Sequence, residues 1–345
     1  MASLLDKLRT LSAVDCDTLD AEAARKLGPF VDCTSNQAIA YGELTKLDAN
    51  GAPLHEALIK DSIRDANWMF AKQADATIEE LAVEIMMVRL ALLIAPNLSG
   101  YAHIQTNPLW SYSKEKTIKN AERIVAHFKH LDPSFDTKRV CIKIPSTWEG
   151  LQACRALEAR GIATLATTLF CMEQAALAAD AGCTYIAPYV NELKVHFDPT
   201  YKDPSPAFGL CALAQRFFRA RGARTRVLAA SLTSAAEVLA LAGLEHITVP
   251  PGLLAELAAT PADAYPGLSE VGAALRVVAA AGGAEPAEAA YGAEAVRDEA
   301  AWRMGVTRSE GGRNEGKLVQ AVNIFAEMQE KLEGLVRKFD VAGAA

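Results

Sequence analysis

Val140-Cys-Ile-Lys-Ile-Pro-Ser-Thr-Trp-Glu-Gly150 is the stretch on which the fold turns. Val140, Ile142 and Ile144 alternate with Cys141, Lys143 and Pro145, so a strand here sends the branched residues to one face and the lysine to the other. The strand runs straight into Ser146-Thr-Trp-Glu-Gly150 and then an amphipathic helix over Leu151–Arg160, the strand-loop-helix unit of α/β enzymes. Lys143 then sits at the carboxyl end of its strand, where such enzymes place their chemistry. An isolated strand-end lysine more often snorkels to water or pairs with a carboxylate. In this context a second use is stronger. An amine with a pKa of about 10.4 in water is mostly protonated. Burial among apolar groups lowers that value and frees the lone pair to attack a carbonyl. The expectation is a Schiff-base lysine.

Outward from this unit, strand and helix patterns alternate through the chain. Short apolar runs at 12–17, 30–36 and 98–104 precede the lysine strand, and others at 162–168, 184–189, 226–230 and 246–249 follow it. Helical spacing separates them, as over Ile78–Ile94, Lys114–Leu131 and Met172–Ala181. Alternation implies parallel βα units, and eight of them can close into an α/β barrel of the (β/α)8, or TIM, type. An open doubly wound sheet is the alternative; no GxGxxG turn follows a strand to support it. The 345 residues are expected to form one domain, with the barrel over about 11–255 and a helical extension over about 256–345. In that extension Leu318, Val322, Phe325, Met328, Leu332, Leu335 and Phe339 recur every three or four residues, which predicts a long terminal helix packing into the core. Residues 255–301, rich in alanine, glycine and proline, suit surface helices and loops, or local disorder near Gly282-Gly283.

Composition excludes several classes. At 51% apolar and 22% charged the chain can bury a large core. A net charge of -7 without a basic run argues against nucleic acid and anionic membranes, and leaves small molecules as partners. Cysteines at 16, 33, 141, 154, 171, 183 and 211 form no CxxC pair and read as reduced packing residues, consistent with a cytoplasmic location. Asp6, Lys7 and Arg9 interrupt the first leucines, so no signal peptide is expected, and no later stretch suits a membrane span.

Other strand ends carry polar groups. Ser12-Ala-Val-Asp-Cys-Asp17 ends in acids: Asp17 suits a strand end, while Asp15, Asp17 or Thr18 equally suits the cap of a helix over Ala21–Leu27. Asn36 lies in the loop after the second run. Gln105-Thr-Asn107-Pro108 leaves the third run with uncharged hydrogen-bonding groups.

Lys143-Ile-Pro-Ser146-Thr-Trp-Glu-Gly150, Leu157-Glu-Ala-Arg-Gly-Ile162, Thr167-Thr-Leu-Phe170, Gln174-Ala and Ala187-Pro-Tyr-Val190 together resemble the transaldolases, class I aldolases of sugar-phosphate metabolism. Asp32-Cys-Thr-Ser-Asn36 is similar to that family's Asp-x-Thr-Thr-Asn-Pro loop, and Ala229-Ala-Ser231 to its seventh unit. The resemblance covers most of the chain. It implies an α/β barrel, covalent catalysis through lysine without metal or organic cofactor, a small carbonyl or sugar substrate, and a homodimer. Residue by residue, it makes Lys143 the Schiff-base lysine, Asp17 the proton-transfer carboxylate and Asn36 a substrate-binding amide. Thr167 becomes the hydroxyl that helps hold water, and Ser146, Asn107 and Ser231 contribute to substrate binding. Thr167 alone would read as an ordinary β-branched strand residue.

The departures fall in the same inferred pocket. Where the family has Ser-Thr-Glu-Val-Asp-Ala-Arg this chain has His103-Ile-Gln-Thr-Asn-Pro-Leu109, so Gln105 stands for a catalytic glutamate; an amide positions water without accepting its proton. Glu192 and Thr233 stand where the family has phosphate-binding arginines. Tyr189 replaces a phenylalanine, either as an aromatic swap or as a phenol that donates a proton or holds water. Three functions follow, in order: a diverged lysine aldolase or transaldolase acting on a weakly charged or unphosphorylated carbonyl compound, an orthodox sugar-phosphate transaldolase, and a silent barrel that only binds.

Overall fold

The computed structural model describes residues 2–70, 75–265, 291–292 and 296–343. Among these, β1 Ala13–Asp17, β2 Cys33–Thr34, β3 Ala102–Gln105, β4 Val140–Pro145, β5 Ala163–Leu169, β6 Tyr185–Pro188, β7 Arg226–Ala229 and β8 His246–Val249 close into a barrel in chain order. All neighbours are parallel, and β1 shuts the ring by pairing Ala13 with His246 on one side and Cys16 with Cys33 on the other. Parallel neighbours cannot be joined by a tight turn, so each crossover carries helix or turn structure. This is the α/β barrel that the alternation predicts.

The period of two divides the apolar residues into two populations. Ile142 and Ile144 of β4 point outward and join Cys16, Ile104, Ala166, Ile186, Val227 and Ile247 beneath the surrounding helices. Cys141, Leu165, Tyr185, Ala187 and Leu228 point inward, where they meet Leu318, Ala321, Val322 and Phe325 of a terminal helix, Arg313–Gly343. That helix is longer than the 315–339 pattern predicts. It crosses the barrel mouth and inserts Phe325, which is fully buried; a ring of that size contributes about 2–3 kcal/mol on burial. Lys143, one residue from Ile142 and Ile144, is thereby directed inward toward the same mouth.

Local chemistry sets the strand ends. The cap of the helix Ala21–Leu27 is Asp20, whose Oδ1 accepts from the amides of Glu22 and Ala23, both at 3.0 Å. Neither Asp15, Asp17 nor Thr18 fills that role, so the two aspartates are left for the barrel. After β4, Thr147 caps the helix Trp148–Glu158 through a 2.9 Å bond from Gly150 N. A Cβ on Gly150 would lie 2.1 Å from the Pro145 carbonyl oxygen, so only glycine lets this helix start so close to the strand that carries Lys143.

All seven cysteines are free and buried. No helix among the described residues is long and apolar enough to cross a membrane. Pro251–Ala259 and Glu299–Arg308 are helical. The expectation for Gly282-Gly283, and for most of 255–301, lies outside the described residues.

Candidate active site

At the carboxyl mouth of the barrel a cavity of about 280 Å³ is lined by Asp17, Asn36, Lys143, Tyr189 and Ser231, with Leu193, Leu232 and Phe325 among its apolar walls. Lys143 is 2% exposed and, among the described residues, forms no ion pair. Its Nζ lies 5.8 Å from the centroid of the Tyr189 ring, which Phe170 holds edge-on at 6.0 Å. Asp17 is fixed by a short relay: Thr34 Oγ1 donates to Asp17 Oδ1 at 2.7 Å, and the Thr248 hydroxyl lies 2.6 Å from Thr34 Oγ1. Since Thr34 spends its hydrogen on Asp17, Thr248 must be the donor in the second bond. Asn36 caps the helix Gln37–Leu44, its Oδ1 accepting from Ile39 N at 3.0 Å, which leaves its amide nitrogen as the group able to donate to a ligand.

Gln105 and Thr167 belong to the barrel interior but not to the cavity lining. Gln105 is the register partner of Lys143 across β3 and β4, and Thr167 pairs with Pro145 across β4 and β5. Both amide atoms of Gln105 and the hydroxyl oxygen of Thr167 are buried without a protein partner among the described residues. Buried polar groups are normally paired, so such atoms beside a buried lysine mark a place where substrate or solvent completes the bonding. The backbone is strained nearby: Thr168 and Ser231, neither a glycine, have φ of 50° and 62°.

The family model for transaldolase/fructose-6-phosphate aldolase matches residues 14–310. The chain belongs to this transaldolase family. A transaldolase of Alteromonas mediterranea is 31% identical over 346 residues, covering 98% of this chain and 99% of that protein. Those of Rhizobium rhizogenes and Acidobacterium capsulatum are 35% and 33% identical over 267 residues, covering 75% and 76% of this chain and 78% of each relative.

Within this transaldolase barrel the remaining expected residues lie outside the cavity lining. Ser146 donates through its amide and hydroxyl to the Thr167 carbonyl at 2.8 and 2.7 Å, joining the β4 and β5 loops. Asn107 donates to Glu80 and receives Leu109 N, beside a water-sized cavity of about 10 Å³ behind Gln105. Thr233 is exposed, with its amide on Glu237. Glu192 accepts from the Tyr201 hydroxyl and from Gln320 Nε2, the latter at 2.9 Å. The carboxylate pushes the Tyr201 phenol up to about 12. Glu192 therefore ties the β6 loop to the terminal helix instead of facing substrate. Several apolar lining residues and one titratable residue are not anticipated from the sequence; the titratable one is His196, on the turn Leu193–His196. Only its place shortly after a barrel strand could have drawn attention to it.

A second polar layer lies one step down each strand. His246 Nδ1 meets Asp15 Oδ2 at 2.9 Å, Arg226 donates to His246 Nε2 at 3.2 Å and to the Tyr185 hydroxyl at 2.6 Å, and His103 Nε2 meets Asp32 Oδ2 at 3.0 Å. Burial raises the Asp15 carboxyl above the usual range. Burial acts the same way on Asp32, but His103 and the Tyr101 amide hold that carboxyl below it. Ligand-type atoms of Asp15, Asp32 and His246 lie within 4.8 Å of one another. Arg226 already places a cation on the far nitrogen of His246, and both carboxylates have donors, so the group forms a self-neutralising network.

Proposed function

We propose that the cavity performs Schiff-base aldol chemistry on a small ketose or hydroxyketone that is not phosphorylated, with Lys143 as nucleophile and Asp17 as the proton-transfer group. The observation that carries this reading is a buried lysine, without an ion partner among the described residues, sharing one small cavity with an oriented carboxylate. The amine adds to the substrate ketone and water leaves, giving an iminium. Asp17 takes the proton of the hydroxyl two carbons from the iminium carbon. The bond between that carbinol carbon and the carbon next to the iminium breaks, its electrons form the enamine double bond, and the carbinol carbon departs as an aldehyde. Thr167 and Gln105 supply hydrogen bonds for the water lost and regained at the lysine; the amide orients that water while another group carries its proton.

The enamine has two fates. Protonation at carbon and hydrolysis complete a cleavage, whereas capture by a second aldehyde completes a transfer. The Tyr189 phenol, on a ring whose centroid lies 5.8 Å from the Lys143 amine, adds a proton donor and favours cleavage. An unphosphorylated substrate is favoured because no arginine lines the cavity among the described residues. The family's description, which joins transaldolase to fructose-6-phosphate aldolase, supports a phosphorylated sugar as the second reading.

Borohydride reduction with a panel of ketoses tests the proposal: the substrate mass should appear on Lys143 and be absent from Lys143→Ala. Trapping on another lysine, or on none with any carbonyl offered, overturns it. Turnover of fructose compared with fructose 6-phosphate separates the two substrate readings.

A further inference from the structure

We infer that His196 is a specificity-determining residue of this cavity, reading a substrate hydroxyl that carries no charge. Among the described residues that line the cavity only Lys143 and His196 are basic, and the lysine is committed to the carbonyl. The imidazole Nε2 lies 2.9 Å from Ser231 Oγ. Ser231 is held in the left-handed region, φ 62°, by its chain neighbours, and Asn191 bonds its carbonyl twice, through N at 3.3 Å and Nδ2 at 3.0 Å. The pair presents a hydrogen-bond donor and an acceptor at the rim, which suits a hydroxyl able to do both.

The turn that carries His196 is preorganised by the terminal helix. Gln320 grips it with both ends of its amide: Oε1 accepts from Lys194 N at 3.0 Å, and Nε2 donates to Glu192. The neighbouring charges disfavour a dianion. Desolvation of the imidazole lowers its pKa below the usual value, while the carboxylates of Asp17 and Glu237 act the other way and would repel a dianion brought to the same place. The same site in a phosphate-reading enzyme would need a guanidinium or a backbone nest here.

This inference rests on the Schiff-base reading, and one titration separates their failures. Borohydride trapping at Lys143 is measured against rising fructose and fructose 6-phosphate in the wild type, His196→Ala, His196→Arg and Ser231→Gly. His196→Ala and Ser231→Gly should each raise the half-saturating fructose concentration about three- to tenfold, the scale of one hydrogen bond. His196→Arg should lower the half-saturating fructose 6-phosphate concentration at least tenfold by supplying a charged partner. Curves for all variants within twofold of the wild type would overturn the assignment of His196 while leaving the lysine chemistry standing. Absence of trapping in the wild type with both sugars would overturn the lysine chemistry and this inference together.

Discussion

The mouth and the floor of the barrel are built by the same strands, two residues apart, and differ in one respect. At the mouth stand Asp17, Thr34, Gln105, Lys143 and Thr167; two positions earlier stand Asp15, Asp32, His103, Cys141 and Leu165. Both layers bury polar groups. Among the described residues, the charges of the floor pair among themselves and His103 Nδ1 is a buried atom left unpartnered, whereas at the mouth the Gln105 amide and the Thr167 hydroxyl have no protein partner and Lys143 has no counter-ion. Burial of polar groups alone therefore does not mark a site, since a satisfied network stabilises a fold as readily as it serves chemistry. What distinguishes the mouth is bonding capacity left over for something that is not protein.

Exchange of function and stability between the layers would break that comparison. The largest effect is expected for Lys143→Met, which should lower turnover by about 10⁴-fold or more while leaving the urea midpoint unchanged or raised, because an unpaired buried amine gives way to an apolar chain. A fall in stability together with activity would show that the lysine is part of the architecture. Asp17→Asn keeps the bond from Thr34 but cannot take a proton, so it should retain borohydride trapping and lose about 10²- to 10⁴-fold in carbon-carbon cleavage. Single-turnover assays that leave cleavage unchanged would remove Asp17 from the mechanism.

The floor should behave in the opposite way. Asp32 accepts from the Tyr101 amide at 2.7 Å and from His103, and a Cβ on Gly100 would lie 2.1 Å from its Oδ1, so chain and side chain are fitted closely here. Asp32→Ala strands two buried donors and should cost about 3–5 kcal/mol of stability, read as a lower urea midpoint, with turnover of the folded fraction within a few-fold of wild type. A hundredfold loss of turnover at unchanged midpoint would connect the floor to the chemistry and erase the distinction between the layers.

The two layers also differ in how far the sequence exposes them. Alternation around Lys143 and the spacing from Leu318 to Phe339 display the barrel and the terminal helix, because periods of two and near four leave a local trace. The inward direction of Lys143 follows from its isoleucine neighbours in the same way. Pairings across the chain leave no such trace. Asp15 reads locally as a cap, whereas its partner His246 is 231 positions away. Glu192 reads as a pocket residue because it stands where the family has a phosphate-binding arginine, yet Gln320, 128 positions on, turns it aside. His196 was invisible for a related reason: its partner Ser231 reaches the rim through a positive φ that serine rarely adopts.

The smallest expected effect concerns the join between mouth and helix, and its pH dependence tests whether the mouth depends on the helix that covers it. Lys317 of the terminal helix donates to both carboxylate oxygens of Asp203 at 2.8 and 3.1 Å and to the Ser205 carbonyl at 2.8 Å, while Asp203 also accepts from Glu192 N. Burial by itself would raise the Asp203 carboxyl, but Lys317 and the amides of Ser205 and Glu192 more than offset it and hold the pKa below the ordinary value. A carboxyl depressed in the folded state stabilises it fully above the unfolded value of about 3.9 and loses that contribution as the pH falls through the folded value. Asp203→Asn, which keeps the shape and one acceptor, should therefore be about 1–2 kcal/mol less stable than wild type at pH 6, with the gap in urea midpoints closing below about pH 4. Because Phe325 on the same helix lines the cavity, the variant should also need more ketose to reach half-maximal trapping at Lys143 at pH 6. A stability gap that persists unchanged into acid would assign the defect to packing rather than to the ion pair, and unchanged half-saturation would mean that the mouth holds its shape without this anchor.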